Sequence, residues 1–375
     1  MTTRQSRSLV LLLAVLLVSL ASAFQPRAPV RVRMVSPARQ SSFTHLTAES
    51  TMSGMNGEST ADEKPSFAKI LWRFTRPHTI IGSAMAIPSI HLLAAPSLAA
   101  AFSTQNLVAI LYAMVPALLM NLYVTGLNQI TDVEIDKINK PDLPLAAGFL
   151  SMPQAQSIVA AAGALSLGLG WAVGTQGLNV ALWGSAILGT LYSVEPFRLK
   201  RYPFLAAFCI VAVRGAVINA GFFAHANAAA FGGPLTSVLD CLRSDPRCAL
   251  SSLFFTVFGV VIALMKDVPD VVGDRTLNIR TFSVRLGQKR VFGAMRNLLS
   301  GLFGACGVWF VGRAGVTTPV GVARLVTGVA AGLFGWSVYR ESVGVDPTDP
   351  AQVYGYYMHL WKLFYLSYLV LPFAM

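Results

Sequence analysis

Nine runs of mostly apolar residues limit what this chain can fold into. The clearest is LVAILYAMVPALLMNLYVTGL at 107–127, as long as the roughly 20-residue helix that crosses a ~30 Å hydrocarbon layer. The nine lie roughly at 79–95, 105–127, 155–173, 177–193, 203–224, 249–265, 292–312, 318–338 and 354–374. Backbone N–H and C=O groups in lipid must be bonded within their own segment, which selects helices. Composition agrees: 54% of residues are hydrophobic and 12% charged, against about 25% charged in a soluble domain, and the mean hydropathy is +0.58. The sequence therefore predicts an all-α membrane protein, a single bundle of nine transmembrane helices over residues 71–375.

The N-terminal apolar run is of another kind. LVLLLAVLLVSLASAF follows Arg4 and Arg7 and ends in Ala-Ser-Ala, the form of a secretory signal. Arg27, Arg31, Arg33 and Arg39 come next with no acid before Glu49, the make-up of a transit peptide. Residues 1–48 are expected to form a bipartite leader, with a retained anchor at 9–23 as the alternative, and the polar stretch 49–70 a linker. With the mature N-terminus on one side, nine crossings put Arg73, Arg76, Lys137, Lys140, Arg198, Lys200, Lys266 and most other cations on that side, leaving Arg243, Arg247 and Arg313 opposite. The formal charge of +12 comes from the leader and this basic face. There is no nucleic-acid motif or aromatic platform. Cys209 and Cys306 fall within apolar runs as packing residues; Cys241 and Cys248 share a loop, where a disulfide is allowed but not demanded.

Carboxylates are scarce, yet NQITDVEIDKINKPDLPLAAG at 128–148 holds Asp132, Glu134, Asp136 and Asp142 at the lip of an apolar run. An acid at a helix centre in lipid costs about 2.5–3.5 kcal/mol on the mild insertion scale, so these must face a cavity or water. Asn128, Asp132 and Asp136 are spaced i, i+4, i+8, which predicts a row on one helical face. Their hard oxygens suit Mg²⁺. KDVPDVVGDR at 266–275 brings Lys266, Asp267, Asp270, Asp274 and Arg275. TDVEID and PDVVGD superpose as two Asp-Val-x-x-Asp units, a faint internal repeat of the kind that marks sites between membrane halves. Two acidic clusters ringed by Arg76, Lys140, Arg198, Lys200, Lys266 and Arg275 make sense around a metal-bound polyanion, since Mg²⁺ takes one or two carboxylates plus substrate phosphates. A solvated loop is the plainer alternative for any one acid, and a cation transporter is an alternative of another class. Lys266 and Asp267 either contact phosphate or pair with each other; Arg76 either binds phosphate or snorkels; His225 is structural.

These motifs resemble the two signatures of the UbiA-type membrane prenyltransferases. WRFTRPHTIIGS, YSVEPFRLKRYPFLAAFCIVAVRG, RTFSVRLGQKRVF and WKLFYLSYLVLPF are similar to segments of the family's homogentisate branch. The resemblance covers residues from about 70 to the C-terminus. It implies a ring of nine helices with a central cavity, Mg²⁺ on Asn128, Asp132, Asp136, Asp270 and Asp274, and catalysis by that set with Lys266 and Asp267. It also implies substrate contacts from Arg76, Lys140, Tyr192, Arg198, Lys200 and Arg275. Many members place a lysine four residues after the tyrosine that ends the fourth span, whereas Lys200 is eight after Tyr192, leaving open which base of FRLKR meets phosphate. The implied reaction is transfer of phytyl from phytyl diphosphate to homogentisate with loss of CO₂, in a plastid membrane on the path to tocopherol. A sister reaction with solanesyl diphosphate shares the acidic motifs. Tyr357, Trp361, Phe364, Tyr365 and Tyr368 in the ninth run are expected either to close the donor groove or to serve as ordinary packing.

Overall fold

A computed structural model describes residues 65–276 and 279–373. The leader and nearly all of the linker lie outside the described residues. Among the described residues every regular element is helical: α1 (Phe67–Phe74), α2 (Pro77–Ala94), α3 (Thr104–Thr131), α4 (Val133–Asn139), α5 (Met152–Val173) and α6 (Gln176–Ser193). Then come α7 (Pro203–Val211, continued by π-helical turns Ala212–Ala220), α8 (Pro246–Lys266), α9 (Val271–Thr276), α10 (Gln288–Gly312), α11 (Pro319–Ser342) and α12 (Pro350–Val370). The first helix starts at Phe67 with Ser66 as its cap, inside the stretch expected to be linker.

Most starts follow from local chemistry. Asp245, Thr318 and Asp349 each stand before a proline and accept a backbone N–H of the first turn, combining an N-cap oxygen with the residue whose fixed φ suits the first helical position. Ser151 and Gln154 form a reciprocal capping box at the head of α5.

Each of the nine apolar runs falls on helix, but five helices among those described are long and apolar enough by themselves to cross a membrane: α3, α5, α8, α10 and α11. The nine-span expectation is narrowed accordingly. The causes are length and polar content. Packing order runs α2, α3, α5, α6, α7, α8, α10, α11, α12 and back to α2, a closed ring. Of the four that fall short, α7 is only nine residues long before its π-helical turns, and α2, α6 and α12 carry histidine, serine, tyrosine and tryptophan toward the central cavity. Ring closure is tied by Tyr365, whose hydroxyl donates to the His78 carbonyl at 2.7 Å, and by Ser89, which donates to the Tyr368 carbonyl. Close approach of α6 to the extension of α7 (Gly221–Ala226) needs glycine: a Cβ on Gly177 would lie 2.3 Å from the Gly221 carbonyl oxygen. The core is aromatic, with Phe255, Phe258, Phe303 and Trp361 fully buried. A smaller cluster of Phe74, Leu145, Leu150, Ala155 and Val159 anchors α1 under the 140–150 loop. All four cysteines are free, Cys241 and Cys248 buried as packing residues.

Candidate active site

The long helices α3 and α8 end at the same rim of the ring, and each is followed by a short acidic helix. α3 stops at Thr131 because Asp132 leaves helical geometry (φ −116°, ψ 14°). Asn128, Asp132 and Asp136 therefore do not share one continuous helix as expected; a break at the middle residue separates α3 from α4. The three still meet, because α4 folds back so that all of them line one polar pocket of about 500 Å³. α9 supplies Asp274, and the turn before it Asp267 and Asp270.

Arg76, Lys140, Tyr192, Lys200 and Lys266 complete the wall with Asn139 and Thr281. Eleven of the thirteen residues expected from sequence thus line this pocket. Arg198 stands just behind, its Nη2 3.2 Å from Asp132 Oδ1. Arg275 is exposed and does not line the pocket; α9 presents Asp274 inward, and the following residue falls on the other side of the helix. Within FRLKR, Lys200 is buried at 2.5 Å from Asp132 Oδ1, whereas Arg201 turns outward to Glu195 at 2.7 Å.

Five carboxylates (Asp132, Asp136, Asp267, Asp270, Asp274) face four cations (Arg76, Lys140, Lys200, Lys266) in this pocket. Buried charge must be paired or ligated, and most of it is. Lys140 grips Asp270, Lys266 lies 3.7 Å from Asp267, Asn128 Nδ2 donates to Asp132 Oδ2 at 3.0 Å, and Thr281 donates to Asp274 at 3.2 Å. The exception is Asp136, 5% exposed. Its Oδ2 has no hydrogen bond, the Arg76 guanidinium lying 3.9 Å away. Burial pushes the Asp136 carboxyl up to about 6, partly opposed by Arg76 and Lys140. Burial, reinforced by Asp267 and Asp270, pushes Asp274 up to about 7. Asp267 rises to about 6 by burial against the pull of Lys266, and Lys200 falls to about 8 by burial against the pull of Asp132.

These hard oxygens and the unspent Asp136 oxygen fit a divalent cation of the Mg²⁺ type. Among the described residues no three carboxylate, histidine or cysteine groups are placed to hold a metal by themselves. That suits an ion taking one or two protein carboxylates and completing its shell with water and phosphate oxygens.

Beneath the polar pocket lies a cavity of about 970 Å³. Its walls include Val124, Leu188, Ile210, Val213, Ile262 and Trp361. Arg76, Asn128, Tyr192 and Lys266 belong to both linings, so charge gives way to hydrocarbon across one ring of four side chains. His78 lines the same cavity beside Trp361, ring centroids 5.2 Å apart. His225 is buried far along the chain's other rim, bonded to Thr175 and the Ala109 carbonyl, in keeping with a structural role. Asn139 and Thr281 escape a reading by motif, because an amide and a hydroxyl carry no charge signal; only their places, in DKINK and just after the second acidic unit, hint at them.

The chain belongs to the UbiA prenyltransferase family, whose model matches residues 80–363. Its relatives include the probable homogentisate phytyltransferase 1, chloroplastic, of Oryza sativa subsp. japonica, 42% identical over 303 residues, covering 80% of this chain and 72% of that one. The homogentisate phytyltransferase of a Synechocystis strain is 39% identical over 308 residues, 81% of this chain and 94% of that one. A UbiA homolog from Archaeoglobus fulgidus, solved bound to GPP and Mg²⁺, shares the fold with a TM-score of 0.52 at 15% identity, over 81% of this chain and 99% of that one.

Proposed function

We propose that this protein is an Mg²⁺-dependent aromatic prenyltransferase that moves a phytyl group from phytyl diphosphate to homogentisate, in a plastid membrane that all nine apolar segments cross. The observation that carries the reading is the junction of two cavities: a carboxylate-and-lysine pocket for a metal-bound diphosphate opens through Arg76, Asn128, Tyr192 and Lys266 onto an apolar chamber for an isoprenoid chain. Phytyl transfer in particular is supported by the names of the relatives, as plastid placement is by the chloroplastic name of the rice protein.

Asn128, Asp132, Asp136, Asp270 and Asp274 would hold Mg²⁺, one or two carboxylates to an ion, and the metal would neutralise charge developing on the leaving diphosphate. The side chains do the rest. Lys140, Lys200, Lys266 and Arg76 place cations where a bare row of carboxylates would repel a polyanion. Arg198, behind Asp132, steadies that carboxylate. The donor's C1–O bond breaks with its electron pair going to diphosphate, leaving an allylic cation in the chamber below, where apolar walls keep water from quenching it. The electron-rich homogentisate ring attacks; it then gives up a ring proton, while its side chain loses CO₂ and takes up a proton. The product is a methyl-phytyl quinol, and no side-chain nucleophile is needed.

Purified membranes given labelled homogentisate and phytyl diphosphate should release diphosphate and form labelled quinol only with Mg²⁺ present. Product formed equally in excess chelator would refute the reading.

A further inference from the structure

The two acidic helices belong to distant parts of the chain, and one side-chain amide ties their backbones together. Asn139, the last residue of α4, donates Nδ2 to the Asp270 carbonyl at 3.2 Å. Its Oδ1 accepts the Gly273 amide at 3.1 Å. Both ends of the amide are thereby engaged by backbone inside the second Asp-Val-x-x-Asp unit. Gly273 makes room for this: a Cβ there would stand 2.4 Å from Asn139 Oδ1 and 2.7 Å from its Cγ, closer than real Cβ atoms approach. The adjacent Lys140 holds the Asp270 carboxylate, so α4 grips Asp270 by its main chain and its side chain.

We propose that Asn139 is a positioning residue, an amide strut that fixes the gap between the Asp132/Asp136 cluster and the Asp270/Asp274 cluster so that both close on one divalent cation–diphosphate. The assignment rests on the prenyl-transfer reading. Ligands on two separately rooted elements serve one ion only if their supports hold them to about 0.5 Å, and no other side-chain amide joins α4 to α9 among the described residues. Loss of such a support typically costs 10- to 100-fold in metal affinity or activity.

The test compares full-length wild type with Asn139→Ala, Gly273→Ala and the double variant. Three quantities are read: the Mg²⁺ concentration for half-maximal diphosphate release, the KM for homogentisate, and the rise in melting temperature on adding Mg²⁺ with inorganic pyrophosphate. Each single change should raise half-saturating Mg²⁺ by about tenfold or more and shrink the thermal shift, leaving the homogentisate KM within about twofold. The double variant should be no worse than the worse single, because Asn139→Ala removes what the new methyl at 273 strikes. The strut is overturned by wild-type Mg²⁺ dependence in Asn139→Ala, by equal damage to the homogentisate KM, by losses that multiply in the double variant, or by failure of Asn139→Ala to fold. A wild type without Mg²⁺-dependent diphosphate release would instead sink the prenyl-transfer reading itself.

Discussion

Arg76 and Arg198 hold left-handed backbone angles, φ 51° and 35°, the non-glycine residues among those described that do so. Such conformations cost about 1–3 kcal/mol each and persist where surroundings dictate them. Here the two arginines flank the acidic pocket, reaching Asp136 and Asp132, and each keeps a buried Nε without a hydrogen bond. The carboxylates they face are the sharper test. Asp132→Asn or Asp270→Asn should cut turnover by at least about a hundredfold while the protein still folds and inserts. Asp142 is the control, since its side chain is exposed and only its carbonyl is used, by Arg73 at 2.8 Å; Asp142→Asn should stay near wild type in the same rate assay. The raised carboxyls also set a pH dependence. Asp136 and Asp267 at about 6 and Asp274 at about 7 lie above the unfolded value of 3.8, so between pH 4 and 7 the folded chain binds more protons than the unfolded one. Stability from these groups is full below pH 4 and lost as pH rises through 6–7. Other groups being equal, the metal-free protein should melt higher at pH 5 than at pH 8. Protons compete with the cation for the same oxygens, so half-saturating Mg²⁺ should be higher at pH 6 than at pH 8.

Among the elements, what was legible in the sequence is what depends on neighbours along the chain. Helix starts at Asp245-Pro246, Thr318-Pro319 and Asp349-Pro350 are local signals, and the repeated Asp-Val-x-x-Asp units do form matching short helices, α4 and α9. The break at Asp132 was hidden, because the i, i+4, i+8 spacing assumes an unbroken helix and neither proline nor glycine marks the stop. The strut from Asn139 was hidden too, since it joins residues 131 and 134 positions apart. Helix α1 shows the same limit: its eight residues FAKILWRF begin in a polar stretch, yet Phe74 is completely buried. Its carbonyl accepts from Gln129 Nε2 at 2.7 Å, and its ring packs with Leu145, Leu150 and Val159. Phe74→Ala should therefore cost about 3–5 kcal/mol by the usual cavity penalty, seen as a lowered melting temperature. Removal of residues 1–60, which leaves Ser66 and all of α1, should leave both melting and activity near wild type.

At the scale of the whole molecule, an aromatic wall divides two apolar spaces. The upper, below the acidic pocket, is the central cavity lined by Tyr357 and Trp361; the lower, bounded by Phe254, Phe303, Trp309 and Phe334, is an open groove between α8, α10, α11 and α12. Between them run Trp361 to Phe364 at 5.3 Å, Phe364 to Phe258 at 5.3 Å and Phe258 to Phe303 at 5.7 Å, ring centroid to centroid, backed by Phe255 stacked on Tyr368 at 3.6 Å. Of the five ninth-segment aromatics, Tyr357 and Trp361 line the upper chamber, while Phe364 and Tyr368 pack into the wall. With this wall at the far end of the upper chamber, the protein should prefer the C20 donors phytyl and geranylgeranyl diphosphate, with solanesyl diphosphate poor. Phe258→Ala or Phe364→Ala opens the wall toward the lower chamber and should raise the solanesyl rate relative to the phytyl rate, at a stability cost of about 3–5 kcal/mol followed by melting. Initial rates with the three donors side by side decide the matter: a wild type faster with solanesyl diphosphate would show that the wall does not stop the chain, and would move the protein to the solanesyl reaction with its diphosphate pocket unchanged.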